Sequence, residues 1–426
     1  MNAIKQLFGG NTRQFGMIFA LIALILFFQV KTGGLVNGLI LTPENLINLV
    51  NGYSYILVLA IGMVLVIIAG HIDLSVGSIA AFVGIVVALT MRDWGIPWYM
   101  GVVVGLVLGA LIGAWQGFFV AYVGIPAFIV TLAGMLLFRG ANQFFGKSLT
   151  VPVPVDFQFI GTGYLPEIGP STGYNNLTVL IGLLAVVAIV WGEMHSRNKA
   201  VRLGAVVKPL WVTIFKLVLI SAVILYATYL FATGRPGTSF PVPGIILGVL
   251  ILVYGFVASR TTIGRHIYAV GGNRHAAALS GVKSKRTDFL VMLNMAVLSG
   301  LAGMMFIARS NASGAYDGVG WELDAIAAVF IGGAAVTGGV GTVVGSMIGG
   351  LVMAVLNNGL QLLGIGSDLT QIIKGLVLLA AVVLDVYNKS QGKPSFIGFM
   401  TKRLGRKDES GLSTAEPLKE TVSTQA

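Results

Sequence analysis

Residues 66–87 read VIIAGHIDLSVGSIAAFVGIVV, apolar at both ends, with His71, Asp73, Ser75 and Ser78 in the middle. Only Gly70, His71 and Ile72 separate two long apolar runs. Three residues are too few for a relaxed loop, so the chain must break one helix and enter another there. Gly70 and Gly77 supply the tight backbone geometry. Asp73 and Ser75 have side-chain oxygens that can accept amide protons left unpaired at a helix start in lipid. A second role is open for His71 and Asp73, because ionisable groups inside a membrane commonly line a polar pathway or relay protons. No other histidine falls in an apolar segment to continue a relay: His195, His266 and His275 lie in charged gaps.

Composition supports the membrane setting of that break. Of 426 residues, 56% are hydrophobic and 10% charged, against about a quarter charged in a soluble domain. About twelve apolar segments follow, near 16–36, 45–69, 73–91, 97–121, 124–145, 177–193, 210–232, 241–258, 287–308, 322–338, 339–363 and 370–388. This pattern predicts an all-α, polytopic integral membrane protein, with some segments broken or re-entrant. The first segment lacks a small-residue cleavage site after it and reads as a retained helix. The net charge of +11 does not point to nucleic acid, since the basic residues sit in short gaps between spans. With the N-terminus cytoplasmic and one crossing per segment, 20 of the 27 basic residues face the cytoplasm. The positive-inside rule then puts both termini in the cytoplasm. Residues 1–388 form one transmembrane domain, and the polar stretch 389–426 reads as a flexible cytoplasmic tail. The Pro- and Gly-rich stretch 146–176 reads as an ordered extracytoplasmic loop.

Two loop-like motifs fail on spacing. GGVGTVVG (338–345) lies inside an apolar run and lacks the dinucleotide Gly-x-Gly-x-x-Gly spacing, while GANQFFGKS (140–148) has one residue too many for a phosphate loop. Glycines at 101, 105, 109, 113 and 117, and again at 341, 345 and 349, instead form flat helix faces for close packing in lipid. No cysteine is present, and no paired carboxylates, nucleophile–base set or metal cluster emerges, so the chain does not read as an enzyme. Amides recur within spans. Asn357, Asn358 and Gln361 fall at helical spacing, and Asn294 and Gln371 add to them. Asp324, Lys374 and Asp385 are buried-charge candidates. Such groups either line a polar path for a hydroxyl-rich cargo or tie helices together.

The most informative gap is RTTIGRHIYAVGGNRHAAALSGVKSKRTDF, residues 260–289, where a short helix bearing Ala276, Ala277 and Leu279 ends at Gly281. Here the chain resembles the permease subunits of bacterial monosaccharide ABC importers, the ribose, xylose, arabinose and galactose permeases. The resemblance spans about residues 42–388. It rests on GHIDLSVGS (70–78), GIPAFIVTLAGMLLFRG (124–140), TTIGRHIYAVGGNRHAAALSGV (261–282), ELDAIAAVFIGGAAVTGGVGTVVG (322–345), VLNNGLQLLGI (355–365) and QIIKGL (371–376). The extra span pair near 177–235 resembles the longer xylose and multiple-monosaccharide branch. The resemblance implies that 260–286 is the loop gripped by a partner ATPase, through Gly264, Arg265, Gly271, Gly272, Asn273, Ala276, Ala277, Ser280 and Gly281. Just after the Asn the family often has an acidic residue or proline, where this chain has Arg274 followed by His275.

It further implies a homodimer of permease chains in the bacterial inner membrane, an ABC ATPase carrying ATP and Mg, and a periplasmic sugar-binding protein. The cargo is then a monosaccharide such as xylose, and this chain itself binds no cofactor. Asp73, Ser75, Asn294, Asn357, Asn358 and Gln361 are the candidate path residues. An ion-coupled secondary sugar transporter is the alternative, although no ion-coupling constellation is visible at mid-membrane.

Overall fold

The computed structural model describes residues 12–205, 207, 209–233 and 238–390, and the expected tail beyond 390 lies outside them. The described chain is almost wholly helical. Helices α1 (Thr12–Lys31), α2 (Pro43–Ile68), α3 (Val76–Trp94), α4 (Trp98–Phe118) and α5 (Ala127–Phe145) come first, followed by α6 (Asn176–Arg202), α7 (Leu210–Ala232) and α8 (Val242–Arg260). Two short helices, α9 (Thr262–Gly272) and α10 (Arg274–Leu279), lead into α11 (Ser284–Ser310), α12 (Trp321–Ile331), α13 (Val343–Leu362) and α14 (Ser367–Ser390). Among the described residues, nine helices are long and apolar enough to cross a membrane.

Helix starts follow capping chemistry. Pro43 opens α2 behind Thr42, whose side chain accepts the Asn45 amide proton, and Thr342 does the same for Gly345 at the start of α13. Helix α2 is the centre of the molecule: from Ile56 to Ala69 its residues are buried, packed against α11, α12 and α13. The paired helices α6 and α7 sit at the periphery, mostly exposed and in contact chiefly with each other. Opposite the α9–α10 end, the loop after α5 pairs with the loop after α11 as a two-stranded ladder, β1 (Val151–Pro152) with β2 (Ala312–Ser313). Phe157 of the 146–176 loop is fully buried, and Val242 donates its N–H to Gly163 O, so this loop is packed onto the helix ends.

The α4 glycines form the close-packing face that their four-residue spacing predicts. A Cβ on Gly109 would meet Ala296 O of α11 at 2.9 Å, and one on Gly113 would meet Leu293 Cα at 2.6 Å. No side chain can grow there without driving α4 off α11. Gly113→Leu is therefore expected to destabilise the protein by about 2 kcal/mol or more, the upper range for overpacking. Thermal unfolding in detergent, compared with Leu111→Ala on the exposed face, checks it.

The second glycine series behaves differently. Residues 322–338 do not form one span: helix α12 stops at Ile331, and 332–342 is non-helical until α13 begins. Gly333, Gly338 and Gly339 all take positive φ, a conformation that ends a helix and that only glycine adopts without strain. Gly341 consequently lies in the break and not on the α13 stripe. Gly345 and Gly349 do lie on that stripe, where they pack against the backbone of Gly332 and Ala328.

Candidate functional site

Three backbones converge at one end of α2. Gly70 follows its last turn with φ of 86°, Gly271 and Gly272 end α9, and Gly338 and Gly339 lie in the α12–α13 break. Gly339 donates its N–H to Ile68 O at 2.8 Å. A Cβ on Gly271 would lie 1.6 Å from that same Ile68 oxygen and 2.8 Å from Gly339 N. The glycines thus let helix α9 rest directly on the ends of two broken membrane segments. Tyr268 reinforces the contact by donating its hydroxyl proton to Gly341 O at 2.7 Å. Burial pushes the Tyr268 phenol above its ordinary range, which keeps that donor protonated.

The α9–α10 pair is well defined locally. Thr261 caps α9 by accepting the Gly264 N–H, and Asn273 caps α10 by accepting the Ala276 N–H. Gly264 is buried, and a Cβ there would meet the carbonyl oxygens of Val257 and Ala258 at 2.3 Å, so α9 folds tightly back on α8. Ala277 faces inward, whereas Arg265, Asn273, Ala276, Ser280 and Gly281 are exposed. Leu279 is 92% exposed, an apolar knob at the tip of α10. Gly281 ends that tip with φ of 84° and open space where a side chain would go.

An ion cluster ties this unit to the break at 70–75. Asp288, at the start of α11 and with its side chain 3% exposed, receives Arg274 on both oxygens, at 2.6 and 3.1 Å. His71 Nε2 stands 3.0 Å from Asp288 Oδ1. A single buried carboxylate therefore joins α10, α11 and the α2–α3 break. Arg274, the residue at which the chain departs from the resemblance, reaches Asp288 from the surface, its side chain 44% exposed. Sequence reasoning passed over Asp288, although a lone acid following the basic run 283–286 and opening a long apolar helix marks it out.

The candidate path residues are dispersed. Asp73 is fully buried and accepts the Ser75 N–H at 2.8 Å and the Ser75 hydroxyl at 2.6 Å, a turn that leads into α3, whereas Ser75 at the N-cap position caps no α3 amide with its side chain. Gln116 of α4, a buried amide that the sequence did not single out, donates to the Ser75 hydroxyl at 2.9 Å. Asn294 accepts the Tyr254 hydroxyl proton at 2.5 Å, tying α8 to α11. Asn358 exchanges two hydrogen bonds with Asn45 at 2.9 and 3.0 Å, tying α13 to α2. Asn357 is half-buried and Gln361 is exposed, so the three α13 amides do not share one environment. Of the buried-charge candidates, Asp324 pairs with Lys374 at 2.6 Å, and the Asp385 side chain lies outside the described residues.

Residues 45–382 match a family model described as a branched-chain amino acid transport system / permease component. The chain is 38% identical over 383 residues to the xylose transport system permease protein XylH of Haemophilus influenzae, covering 89% of this chain and 98% of that one. The Escherichia coli protein of the same name is 39% identical over 380 residues, covering 89% and 93% of the two chains. The ribose import permease protein RbsC of Escherichia coli is 33% identical over 350 residues, or 82% of this chain and 87% of that one. No solved structure matches the chain.

Proposed function

The chain belongs to the family of branched-chain amino acid transport system permease components, and from that premise we propose that it is the membrane subunit of an importer for a monosaccharide, xylose or a similar sugar. A separate ATPase powers it, and a periplasmic binding protein delivers the sugar. The observation that carries the reading is the α9–α10 unit: short, exposed, and seated by Gly271 on the backbones of two broken membrane segments. A partner that pushes on α10 moves those breaks directly. Transport by alternating access requires such a rigid link between the motor and a two-state membrane core.

In this reading α9 and α10 face the cytoplasm, with both chain ends on the same side and two permease copies enclosing the path. Leu279 and the small surface formed by Ala276, Ser280 and Gly281 enter a groove on the ATPase. Gly264, Gly271, Gly272, Asn273 and Ala277 give the unit its shape, and Arg265 contributes charge at its exposed face. Asp73 and Ser75 act by holding the break in shape, not by touching cargo.

The test is sugar-stimulated ATP hydrolysis by the complex of permease, ATPase and binding protein in nanodiscs. Gly281→Trp puts an indole into the open space at the α10 tip and also strains the left-handed backbone that ends the helix. It is expected to weaken ATPase docking by at least about tenfold, a loss of roughly 1.4 kcal/mol, and to abolish the stimulated hydrolysis. Sugar uptake by the permease alone, driven by a proton or sodium gradient, would overturn the reading in favour of a secondary transporter.

A further inference from the structure

A cavity of about 250 Å³ lies between α12, α13 and α14, lined by Gly320, Asp324, Met353, Gln371, Lys374 and Leu378 among others. Its position is fixed by α12. The far end of that helix leads into the break against α9, so its first turn, with Gly320 and Asp324, faces away from the α9–α10 unit. On α14, Gln371, Lys374, Gly375 and Leu378 follow helical spacing and line the cavity. Leu369, Ile372, Leu376, Leu379 and Val383 are exposed on the other side. The helix therefore turns Lys374 toward α12, sets the exposed Gln371 at the mouth of the cavity and offers hydrocarbon on its other face, the arrangement by which membrane proteins mark a polar pathway.

The chemistry inside is that of hydroxyl recognition. Lys374 donates to Asp324 Oδ2 at 2.8 Å and lies 2.6 Å from Oδ1, yet Oδ1 is buried without an aligned hydrogen bond. An ammonium has three protons to donate and a carboxylate about four acceptor positions, so the pair leaves both functions unfilled. Gln371 adds an amide that donates and accepts. The volume is just below the roughly 300–1,000 Å³ of sites for drug-sized ligands. Met353 is followed on α13 by Asn357 and Gln361 at four-residue steps, which continue a polar line away from the α9–α10 end.

We propose that this cavity is a sugar-binding station on the translocation path, in which Asp324 accepts from, and Lys374 and Gln371 donate to, the hydroxyls of a monosaccharide. The proposal rests on the importer reading above. It places the station at the end of the molecule where the sugar would arrive, opposite the ATPase docking unit.

The absence of cysteine makes the test direct, because an introduced thiol is the only one in the chain. Gln371→Cys and, on the lipid face, Leu376→Cys are placed singly in the full complex in nanodiscs and labelled with a maleimide. Loaded binding protein with ATP and D-xylose is expected to slow labelling of Cys at 371 by about threefold or more and to leave the 376 site unchanged. Lys374→Gln, with its donors to the ligand reduced, is expected to lower D-xylose import by about tenfold or more. Sugar-independent labelling at 371, in a Gln371→Cys complex that itself still imports, would overturn the station even if Lys374→Gln is inactive, because the pair would then be a helix tie alone. Failure of the wild-type complex to import D-xylose, D-ribose or D-fructose with ATP would instead count against the importer reading itself.

Discussion

Gly271→Ala is expected to lower ATP-driven sugar import by about a hundredfold, whereas Gly272→Ala one residue later leaves it near wild type. The two changes add the same single carbon to adjacent positions of α9. At Gly271 that carbon falls 1.6 Å from Ile68 O and 2.8 Å from Gly339 N, both backbone atoms, and at Gly272 nothing lies within 4 Å. Backbone cannot rotate away as a side chain can, and Ile68 O is already held by the Gly339 N–H. The helix itself must lift, by more than an ångström. Overpacking typically costs about 1–3 kcal/mol, and backbone against backbone belongs at the top of that range, which corresponds to the stated factor. Uptake into proteoliposomes and ATPase co-purification for the two variants check it. Equal behaviour of the pair would show that α9 does not transmit motion through this contact.

The features legible in the sequence are those set by local pattern. Apolar runs separated by basic gaps gave the helices, and four-residue glycine spacing gave the face of α4 that packs on α11. The exposed α10 tip was legible too, because AAALSGV between basic residues can only be a small surface helix with a glycine end. The break at 332–342 was not. Glycine, alanine and valine all count as membrane-compatible, so hydropathy runs smoothly across a segment whose backbone leaves the helix at positive φ.

Pairing across the fold was equally hidden. Asn45 lies 313 residues from Asn358, and His71 lies 217 residues from Asp288. Nothing local at either position names its partner. The amides were correctly seen as either path or tie, and geometry alone separates them: Asn358 and Asn294 make hydrogen bonds between helices, while Gln361 faces outward. Asp73 and Ser75 illustrate the same limit. Their place at a helix start was evident, but neither caps an α3 amide, since Asp73 closes a turn onto Ser75, and Gln116, which completes the cluster from another helix, carried no local mark beyond being polar in an apolar run.

Asp288→Ala is expected to uncouple the machine, leaving ATP hydrolysis that no longer drives import, with uptake reduced by at least about tenfold. Asp288 is the point through which Arg274 of α10 and His71 of the α2–α3 break are held together. Removing it frees the Arg274 guanidinium, 44% exposed and therefore still hydrated, from the contact that holds it to the break, a loss at the lower end of the range of about 1.5–3 kcal/mol for hydrogen bonds to a charged group. That cost falls on the joint between docking unit and membrane core, while the ATPase-facing surface of α10 is untouched, so docking survives and transmission fails. Arg274→Lys separates charge from geometry. It keeps a cation near Asp288 but loses the two-pronged contact on both oxygens, which an ammonium cannot reproduce, and intermediate coupling is expected. The measurement is the ratio of sugar imported to ATP hydrolysed, taken at matched expression with the melting temperature of each variant alongside. A lowered melting temperature with an unchanged ratio would make the cluster purely a stabilising tie. A lowered ratio, graded from Arg274→Lys to Asp288→Ala, would place it in the chain of contacts that turns nucleotide binding into movement of the break at 70–75.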